Sequence, residues 1–180
     1  MKRIDAMFVG AKKLTRKDGS LEEAFPYEGS YCVTALVAFD LISSVVLLGD
    51  RLESNKKSQY ISVVRPMIGY LLVADEHHAF ISNHLATAVA ALFKWEKMTG
   101  ENLSGKAEEI LERIYANQSQ ESWFLEYEGA DPGYQSLCCY YLADAFETTK
   151  DERLKLSLLR SIDFLQYFVH PDGSYGGLYG

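Results

Sequence analysis

The stretch "RSIDFLQYFVHPDGSYGG", residues 160–177, decides the fold. Its first half places apolar residues at helical spacing, and its second half contains the turn Asp172-Gly173-Ser174. The same three residues recur at 18–20, in "RKDGSLEEAFPYEGSY", and an apolar run follows them at once. The recurrence predicts a repeat protein, in which the turn at Asp172 would open one more repeat that these 180 residues do not contain.

Three further segments of the chain share one order of features. Each has an aromatic loop, then a polar or glycine-containing elbow, then an apolar helix; they are "AFPYEGSYCVTALVAFDLISSVVLLG" (24–49), "HAFISNHLATAVAALFKWEKMTG" (78–100) and "WFLEYEGADPGYQSLCCYYLADAFETTKD" (123–151). The elbow residues Tyr31, Asn83 and Tyr134 are 52 and 51 positions apart, and the two DGS turns are 154 apart, close to three such intervals. The spacing predicts a period of about 51 residues.

Each apolar helix is followed by a second, more amphipathic helix, predicted over 55–73, 104–117 and 151–169. We therefore expect an all-α fold of three helical hairpins in one domain, at about 20–73, 74–119 and 120–171. The charge-poor helix of each hairpin would be the inner one, and the hairpins would curve as they stack. The loops before the inner helices would then gather on one face, called the elbow face below, where a site is expected.

Several local signals refine this prediction. Pro66 predicts a kink or an internal boundary in the second helix of the first hairpin. Asp151 is a candidate N-cap of the last helix. The basic cluster Lys2–Lys17 also has apolar residues at helical spacing, so we interpret it as a solvated helix face rather than a nucleic-acid arm.

Composition excludes some classes of function. The net charge of −7 argues against a nucleic-acid partner, because phosphate contacts need clustered Lys and Arg. No apolar run approaches the roughly 20 residues that cross a bilayer, and no secretory leader is evident, so no membrane partner and a cytoplasmic location are expected. Cys32, Cys138 and Cys139 lack disulfide or zinc spacing, and Cys138 and Cys139 are expected to be buried free thiols. No cofactor and no metal are expected; adjacent His77 and His78 do not make a metal site.

The stretch at 160–177 resembles the helix-then-turn signature of α/α-toroid proteins, which include terpene cyclases, prenyltransferase β-subunits and polysaccharide-active toroids. This resemblance implies an (α/α) toroid segment, about half of a toroid. A narrower stretch, "ISNHLATAVAALF" (81–93), looks like an inner helix of the heparinase II/III-like polysaccharide lyases. That resemblance implies that Asn83, His84 and Tyr134 are catalytic residues.

These three residues suit proton abstraction from a uronic acid. An amide such as that of Asn83 can hydrogen-bond the sugar carboxylate, His84 can take the adjacent proton, and Tyr134 can supply a proton to the leaving oxygen. A C5-epimerase would use the same groups and return the proton to the other face. The structural alternatives stay open: Ser82 or Asn83 as a helix N-cap, and His84 as a hydrogen-bonded structural histidine.

Carboxylates predict a rival chemistry: Glu28, Glu126, Glu128 and Asp131 lie in the elbow loops, with Glu23 and Asp172 nearby. Two carboxylates across a groove are what a glycoside hydrolase needs, although Asp131 before Pro132 is first of all a helix cap. Aromatic residues also concentrate in the elbows, where they would either stack on sugar rings or plug the end of the core. The candidate substrate-binding residues are Tyr27, Glu28, Tyr31, His78, Trp123, Glu126, Tyr127, Glu128, Asp131, Gln135 and Tyr175; Tyr179 belongs to the same aromatic group.

Four hypotheses about function follow. The first is a protein that processes an oligo- or polysaccharide containing uronic acid, by lyase or epimerase chemistry. The second is a glycan-binding or scaffold half-toroid without turnover, and the third is a glycoside hydrolase using elbow carboxylates. A terpenoid-cyclase-like protein is the least supported, because no Asp-rich motif is present. An open repeat edge exposing the apolar side of 154–168 would also predict a homodimer.

Overall fold

The computed structural model describes residues 2–175 and is all-α, as predicted. The helices are α1 (Lys2–Leu14), α2 (Tyr31–Leu48), α3 (Ser54–Val73), α4 (Ser82–Thr99), α5 (Ser104–Ala116), α6 (Pro132–Thr149) and α7 (Glu152–Leu165), with 3₁₀ turns at Gly49–Arg51 and Gln166–Phe168. Within 2–175 there are only isolated β-bridges and no strand. Tyr179 and the two glycines after Tyr175 lie outside the described residues.

The helices form two layers. The inner layer consists of α2, α4 and α6, with α4 in contact with both of the others, and each inner helix packs on the outer helix that follows it. α1 lies in the outer layer against α3 and α2, where the Phe8 ring stacks on Tyr60 with centroids 3.8 Å apart. The basic N-terminal cluster is thus an outer helix with one buried side, and its lysines face solvent.

One lysine shows that the inner helices run in register. Lys94 Nζ donates to Ser43 Oγ on α2 at 3.1 Å and to an oxygen of Asp144 on α6 at 2.6 Å. These partners are 51 and 50 residues away, so the three side chains occupy equivalent positions in successive repeats. The predicted period is therefore present in the packing.

α4 is the most deeply buried helix because it lies between two inner neighbours and in front of an outer helix. Its alanines at 86, 88, 90 and 91 are fully buried. Small side chains let the neighbouring backbones approach closely, and Trp95 and Leu92 fill the remaining space. This composition fits the prediction that the charge-poor helices are the inner ones.

The two DGS turns have the same geometry, which confirms that they are equivalent. In each, the Asp carboxylate accepts from the backbone N–H and the hydroxyl of the Ser two residues on, and the Gly has a φ near +90° (92° at Gly19, 83° at Gly173). A third turn with the same backbone hydrogen bonds precedes Trp123, with Ser122 in the left-handed region at φ 80°. It lies 51 residues before the turn at Gly173 and has no DGS signature.

Three local predictions need correction. α3 continues through Pro66, which neither ends nor divides it. The N-cap position of α4 is Ile81 rather than Ser82 or Asn83, and its side chain makes no capping bond. The prediction that no segment has the length and apolarity to cross a membrane is also wrong, since Tyr31–Arg51 meets both criteria with a mean hydropathy of 2.2. A core helix passes the same test, and α2 packs on α1, α3 and α4.

Candidate functional site

The elbow face is built from three loops that precede the inner helices. The second and third loops are joined by backbone hydrogen bonds: Ser82 N–H donates to Leu125 O at 3.1 Å, and Tyr127 N–H donates to Phe80 O at 3.0 Å. These bonds fix the third loop beside the N-terminus of α4. The loops thereby form a continuous surface, as the repeat pattern predicted.

A pocket of about 300 Å³ opens on this face, called the elbow pocket below. Its walls come from the first two loops, the start of α4 and one tyrosine of the third loop. Four of the predicted residues line it (Glu28, His78, His84 and Tyr127), together with Glu23, Ala24, Phe25 and Ile81. The structure therefore brings together part of the predicted site and adds a second carboxylate, Glu23.

Glu76 lies beneath the pocket and holds both of its histidines. One carboxylate oxygen receives His78 Nδ1 at 2.9 Å and the other receives His84 Nδ1 at 2.7 Å. The Glu76 side chain is 1% exposed, against 16% for His84 and 65% for His78. Burial raises the pKa of Glu76, but the hydrogen bonds from the two histidines outweigh it and bring the pKa to about 2.

The position of Glu76 is itself fixed by an ion pair. Asp75 accepts from Arg113 Nη1 of α5 through both carboxylate oxygens, at 2.9 and 2.8 Å. Asp75 also accepts the Glu76 backbone N–H at 2.8 Å. The loop that follows α3 is thus tied to α5, which holds Glu76 under the histidines.

The two pocket carboxylates belong to the first loop and order it. Glu28 accepts backbone N–H groups of Glu23, Ala24 and Phe25, the last two at 2.6 and 3.2 Å. Burial raises the pKa of Glu28, but these three bonds together lower it below its usual range. Glu23 accepts the hydroxyl of Ser30 at 2.9 Å, and Ser30 also caps α2 through Val33 N–H.

A carboxyl group of the third loop caps α4 in place of a local N-cap. Glu126 accepts Asn83 N–H at 2.9 Å with one oxygen and Asn83 Nδ2–H at 2.8 Å with the other. Both residues are buried, so Asn83 joins two repeats here. Burial raises the pKa of Glu126 to about 7, against the effect of the Asn83 bonds.

Tyr134 lies beside the elbow pocket rather than in its wall. Its ring is 6.3 Å from that of Tyr127, centroid to centroid, and Tyr127 does line the pocket. Asp131 accepts Tyr134 N–H at 2.8 Å, which confirms Asp131 as the cap of α6. The three residues of the predicted catalytic set therefore differ in access: His84 faces the pocket, Tyr134 borders it, and Asn83 is buried.

Other predicted binding residues are not gathered at the pocket. Gln135 is fully buried and bonds Phe124 N–H and Ser161 O, and Tyr31 is buried with no partner for its hydroxyl among the described residues. Their side chains offer no surface to a ligand on the elbow face. The Trp123 indole N–H donates to Glu121, and the Tyr175 hydroxyl donates to Leu165 O. Tyr27 packs against the Arg16 guanidinium in a neighbouring hollow, and Glu128 is exposed.

Sequence reasoning missed Glu76, and it placed Glu23 only near the elbow carboxylates without listing it among the site residues. Glu76 sits beside the His77-His78 pair, but its two imidazole partners are visible only once the loop is folded. Within residues 2–175, no group of three or more His, Cys, Asp or Glu side chains is arranged to hold a metal ion. Cys138 and Cys139 are buried and free, as expected, and burial raises the pKa of each thiol.

Comparison with known proteins identifies the fold. No protein-family model matches the chain, and no curated protein matches it. Among solved structures it is similar to the alpha-1,6-mannanase GH76A of Salegentibacter sp. HEL1_6, with a TM-score of 0.70 and 10% identity. That structure is an inactive variant, with two consecutive aspartates replaced by asparagine, in complex with alpha-1,6-mannotriose.

The matched region covers 95% of this chain and 52% of the mannanase chain, so this chain spans about half the length of the structure that it matches. At this identity the likeness establishes the fold, which is that of an α/α toroid. The prediction of a toroid segment is thus confirmed. The narrower resemblance to heparinase II/III-like lyases stays a prediction.

Proposed function

We propose that this chain processes glycans and binds a neutral oligosaccharide in the elbow pocket, with hydrolysis as its reaction. The observation that supports this most directly is the composition of the pocket wall. Two carboxylates and two imidazoles stand beside the rings of Phe25 and Tyr127, which suits sugar hydroxyls and the apolar faces of sugar rings. The fold shared with a mannanase that holds a mannotriose is in keeping with this class of ligand.

The charge of the pocket favours a neutral glycan over a uronic-acid polymer. None of the residues that line it is Lys or Arg, whereas Glu23 and Glu28 are both acidic. A uronate would meet like charge there with only the two histidines to offset it. This supports a hydrolase over the lyase or epimerase chemistry that the heparinase resemblance implies.

Hydrolysis needs one carboxyl group as acid and one as base or nucleophile. Glu28 is the candidate base, because three backbone N–H groups stabilise its ionised form. Glu23 is the candidate acid. Glu28 takes a proton from water as the water oxygen bonds to the anomeric carbon, the glycosidic C–O bond breaks, and the leaving oxygen takes the proton of Glu23. Proton exchange with solvent then restores both carboxyl groups. The chain has no Asp-Asp dipeptide, so hydrolysis here would not use a pair like that replaced in the mannanase.

A second candidate function is glycan binding without cleavage. The observation in its favour is that one oxygen of Glu28 already accepts three backbone N–H groups of its own loop. A carboxylate with this role braces the loop, and in that case the pocket would recognise a sugar without transforming it.

The test separates binding from cleavage. Calorimetric titration of the chain with alpha-1,6-mannotriose, other neutral oligosaccharides and oligouronates of equal length would measure the preference for neutral glycans. We expect Phe25→Ala and His84→Ala to weaken binding, and Tyr167→Ala, an exposed aromatic residue outside the pocket, to leave it unchanged.

Incubation of the bound glycans in ¹⁸O-labelled water, followed by mass spectrometry, identifies the reaction. One ¹⁸O atom at each new reducing end means hydrolysis, and binding without new ends means the second candidate. Tighter binding of oligouronates, with unsaturated ends and no ¹⁸O, would overturn the proposal in favour of the lyase.

A further inference from the structure

We infer that Glu76 is a positioning residue of the elbow pocket, which fixes the tautomer of His84 so that its Nε2 faces the bound sugar as a hydrogen-bond acceptor. The inference rests on the proposed function for the identity of the ligand. It rests on geometry for the role of Glu76, which does not itself line the pocket.

The carboxylate of Glu76 leaves each neutral imidazole only one arrangement. An ionised carboxylate accepts hydrogen bonds and donates none, so the nitrogen that faces it must carry the hydrogen. Nδ1 of His84 faces one oxygen at 2.7 Å, and Nδ1 of His78 faces the other at 2.9 Å. The neutral rings are therefore Nδ1–H tautomers, with the lone pair on Nε2.

Three features keep Glu76 from exchanging these bonds for water. Its side chain is 1% exposed, and its first oxygen also accepts the His78 backbone N–H at 3.0 Å. The preceding residue, Asp75, is bound to Arg113 through both oxygens. Glu76 is buried, its carboxylate is hydrogen-bonded, and the residue before it is paired with α5. It therefore holds the two rings in place, whether or not a sugar is bound.

As a consequence, His84 presents one defined ring nitrogen, Nε2, to the pocket. His84 is half-buried at the start of α4 and lines the pocket between the second loop and Tyr127. Since Nδ1 is taken by Glu76, Nε2 is the nitrogen left to meet a sugar hydroxyl or the water that attacks the glycosidic bond. His78, held in the same way but exposed, has the same capacity at the rim.

The test uses Glu76→Gln, which keeps the shape of the side chain. Glutamine offers one oxygen and one NH₂ group, so it can accept from only one of the two imidazoles and must donate to the other. Long-range ¹H–¹⁵N correlation spectra of the full chain, recorded at about pH 8, above the ordinary imidazole pKa of about 6.5, report each histidine tautomer directly. We expect Nδ1–H for His78 and His84 in the wild type, and an Nε2–H population for at least one of them in Glu76→Gln.

Glu126→Gln is the matched control for the spectra, because Glu126 is another buried elbow carboxyl group that bonds neither histidine. It should leave both tautomers unchanged. In calorimetric titrations with alpha-1,6-mannotriose, Glu76→Gln should bind about five- to tenfold more weakly, the effect of one misdirected hydrogen bond.

The outcomes separate the two proposals. Unchanged tautomers in Glu76→Gln, or an Nε2–H form of His84 in the wild type, overturn the role of Glu76 whatever the glycan result. If the tautomers are as expected but the wild type binds no neutral glycan, the proposed ligand is wrong, while the role of Glu76 in positioning the rings is retained. If the tautomers are as expected but wild type and Glu76→Gln bind mannotriose with equal affinity, the proposed contact between His84 and the sugar is wrong.

Discussion

The pKa values of two buried carboxyl groups on the elbow face are shifted in opposite directions because their hydrogen-bond partners differ. Glu76 faces two imidazoles and a backbone N–H, and its pKa is lowered to about 2. Among the described residues the Glu126 side chain accepts from the amide groups of Asn83, which do not offset burial and the charge of Asp131, and its pKa is raised to about 7. Near neutral pH, therefore, Glu76 is ionised, while Glu126 is close to its titration midpoint.

This difference predicts how stability depends on pH. The pKa of Glu126 rises from 4.5 to about 7 on folding, so the native state binds this proton more tightly than the unfolded state. The contribution of this proton to the free energy of unfolding is complete below pH 4.5 and is lost as pH rises to about 7. Over this range the free energy of unfolding falls by up to about 1.4 kcal/mol per pH unit. Denaturant unfolding across this range should show that slope in the wild type and a smaller one in Glu126→Gln.

The substitution keeps the contact with Asn83. The oxygen of the introduced glutamine can accept Asn83 N–H, and the Asn83 amide can rotate to accept from the new NH₂ group. Glu101→Gln serves as the control, since Arg65 and Trp95 lower the pKa of Glu101. Its contribution to the free energy of unfolding therefore changes with pH only below about 4.5. Equal slopes in wild type and Glu126→Gln would contradict a raised pKa at this site.

At the scale of elements, the first DGS turn packs closely against α3. Gly19 has φ 92°, and a Cβ built there would lie 2.0 Å from the Pro66 carbonyl oxygen of α3. The turn therefore needs glycine for its conformation and also for its close approach to α3. Gly173 has the same conformation in the equivalent turn, but a Cβ there would meet no atom of residues 2–175 within 4 Å.

These two glycines form a matched pair for mutation. Gly173→Ala should cost only the strain of the left-handed conformation, about 1 kcal/mol. Gly19→Ala adds a clash with backbone atoms, which forces the turn away from α3, and should cost roughly 2–4 kcal/mol. The free energies of unfolding of both variants, measured by urea denaturation, test this. Equal losses would mean that the turn does not need its close contact with Pro66.

The helices were predictable because their signals are local. Apolar periodicity predicted an all-α chain, and Asp131 and Asp151 were identified as N-caps from adjacent residues alone. The failures involve partners distant in sequence. The cap of α4 is Glu126, 43 residues away from Asn83, and the third turn places Ser122 in a left-handed conformation without the glycine that would reveal it.

The candidate site was predictable only in part, for the same reason. The repeat pattern placed His78, His84, Glu28 and Tyr127 in loops on one face, and the fold brings them to one pocket. Nothing local shows that Asn83 is buried under Glu126 or that Gln135 supports Phe124 from the core. Those roles depend on contacts between successive repeats, which the spacing of residues along one repeat does not specify.

At the scale of the whole molecule, the last helix is apolar on two sides. Leu154, Leu158 and Leu165 of α7 pack into the core with α6. Leu156, Leu159 and Ile162 are exposed in the described structure and form a second stripe at helical spacing. An inner repeat of a stacked array would bury such a stripe against the next hairpin. The stripe is therefore an apolar surface of α7 that the described residues leave uncovered.

We expect a second copy of the chain to cover this stripe, since three large apolar side chains at helical spacing are exposed together there. Sedimentation equilibrium of the wild type over a wide concentration range should show a monomer–dimer equilibrium. Leu159→Glu should shift it to monomer, because it buries a charge in the stripe. Val73→Glu, an equally apolar exposed residue at the end of α3, should leave the association constant unchanged. A wild type that stays monomeric at high concentration, or equal effects of the two substitutions, would contradict dimerisation through α7.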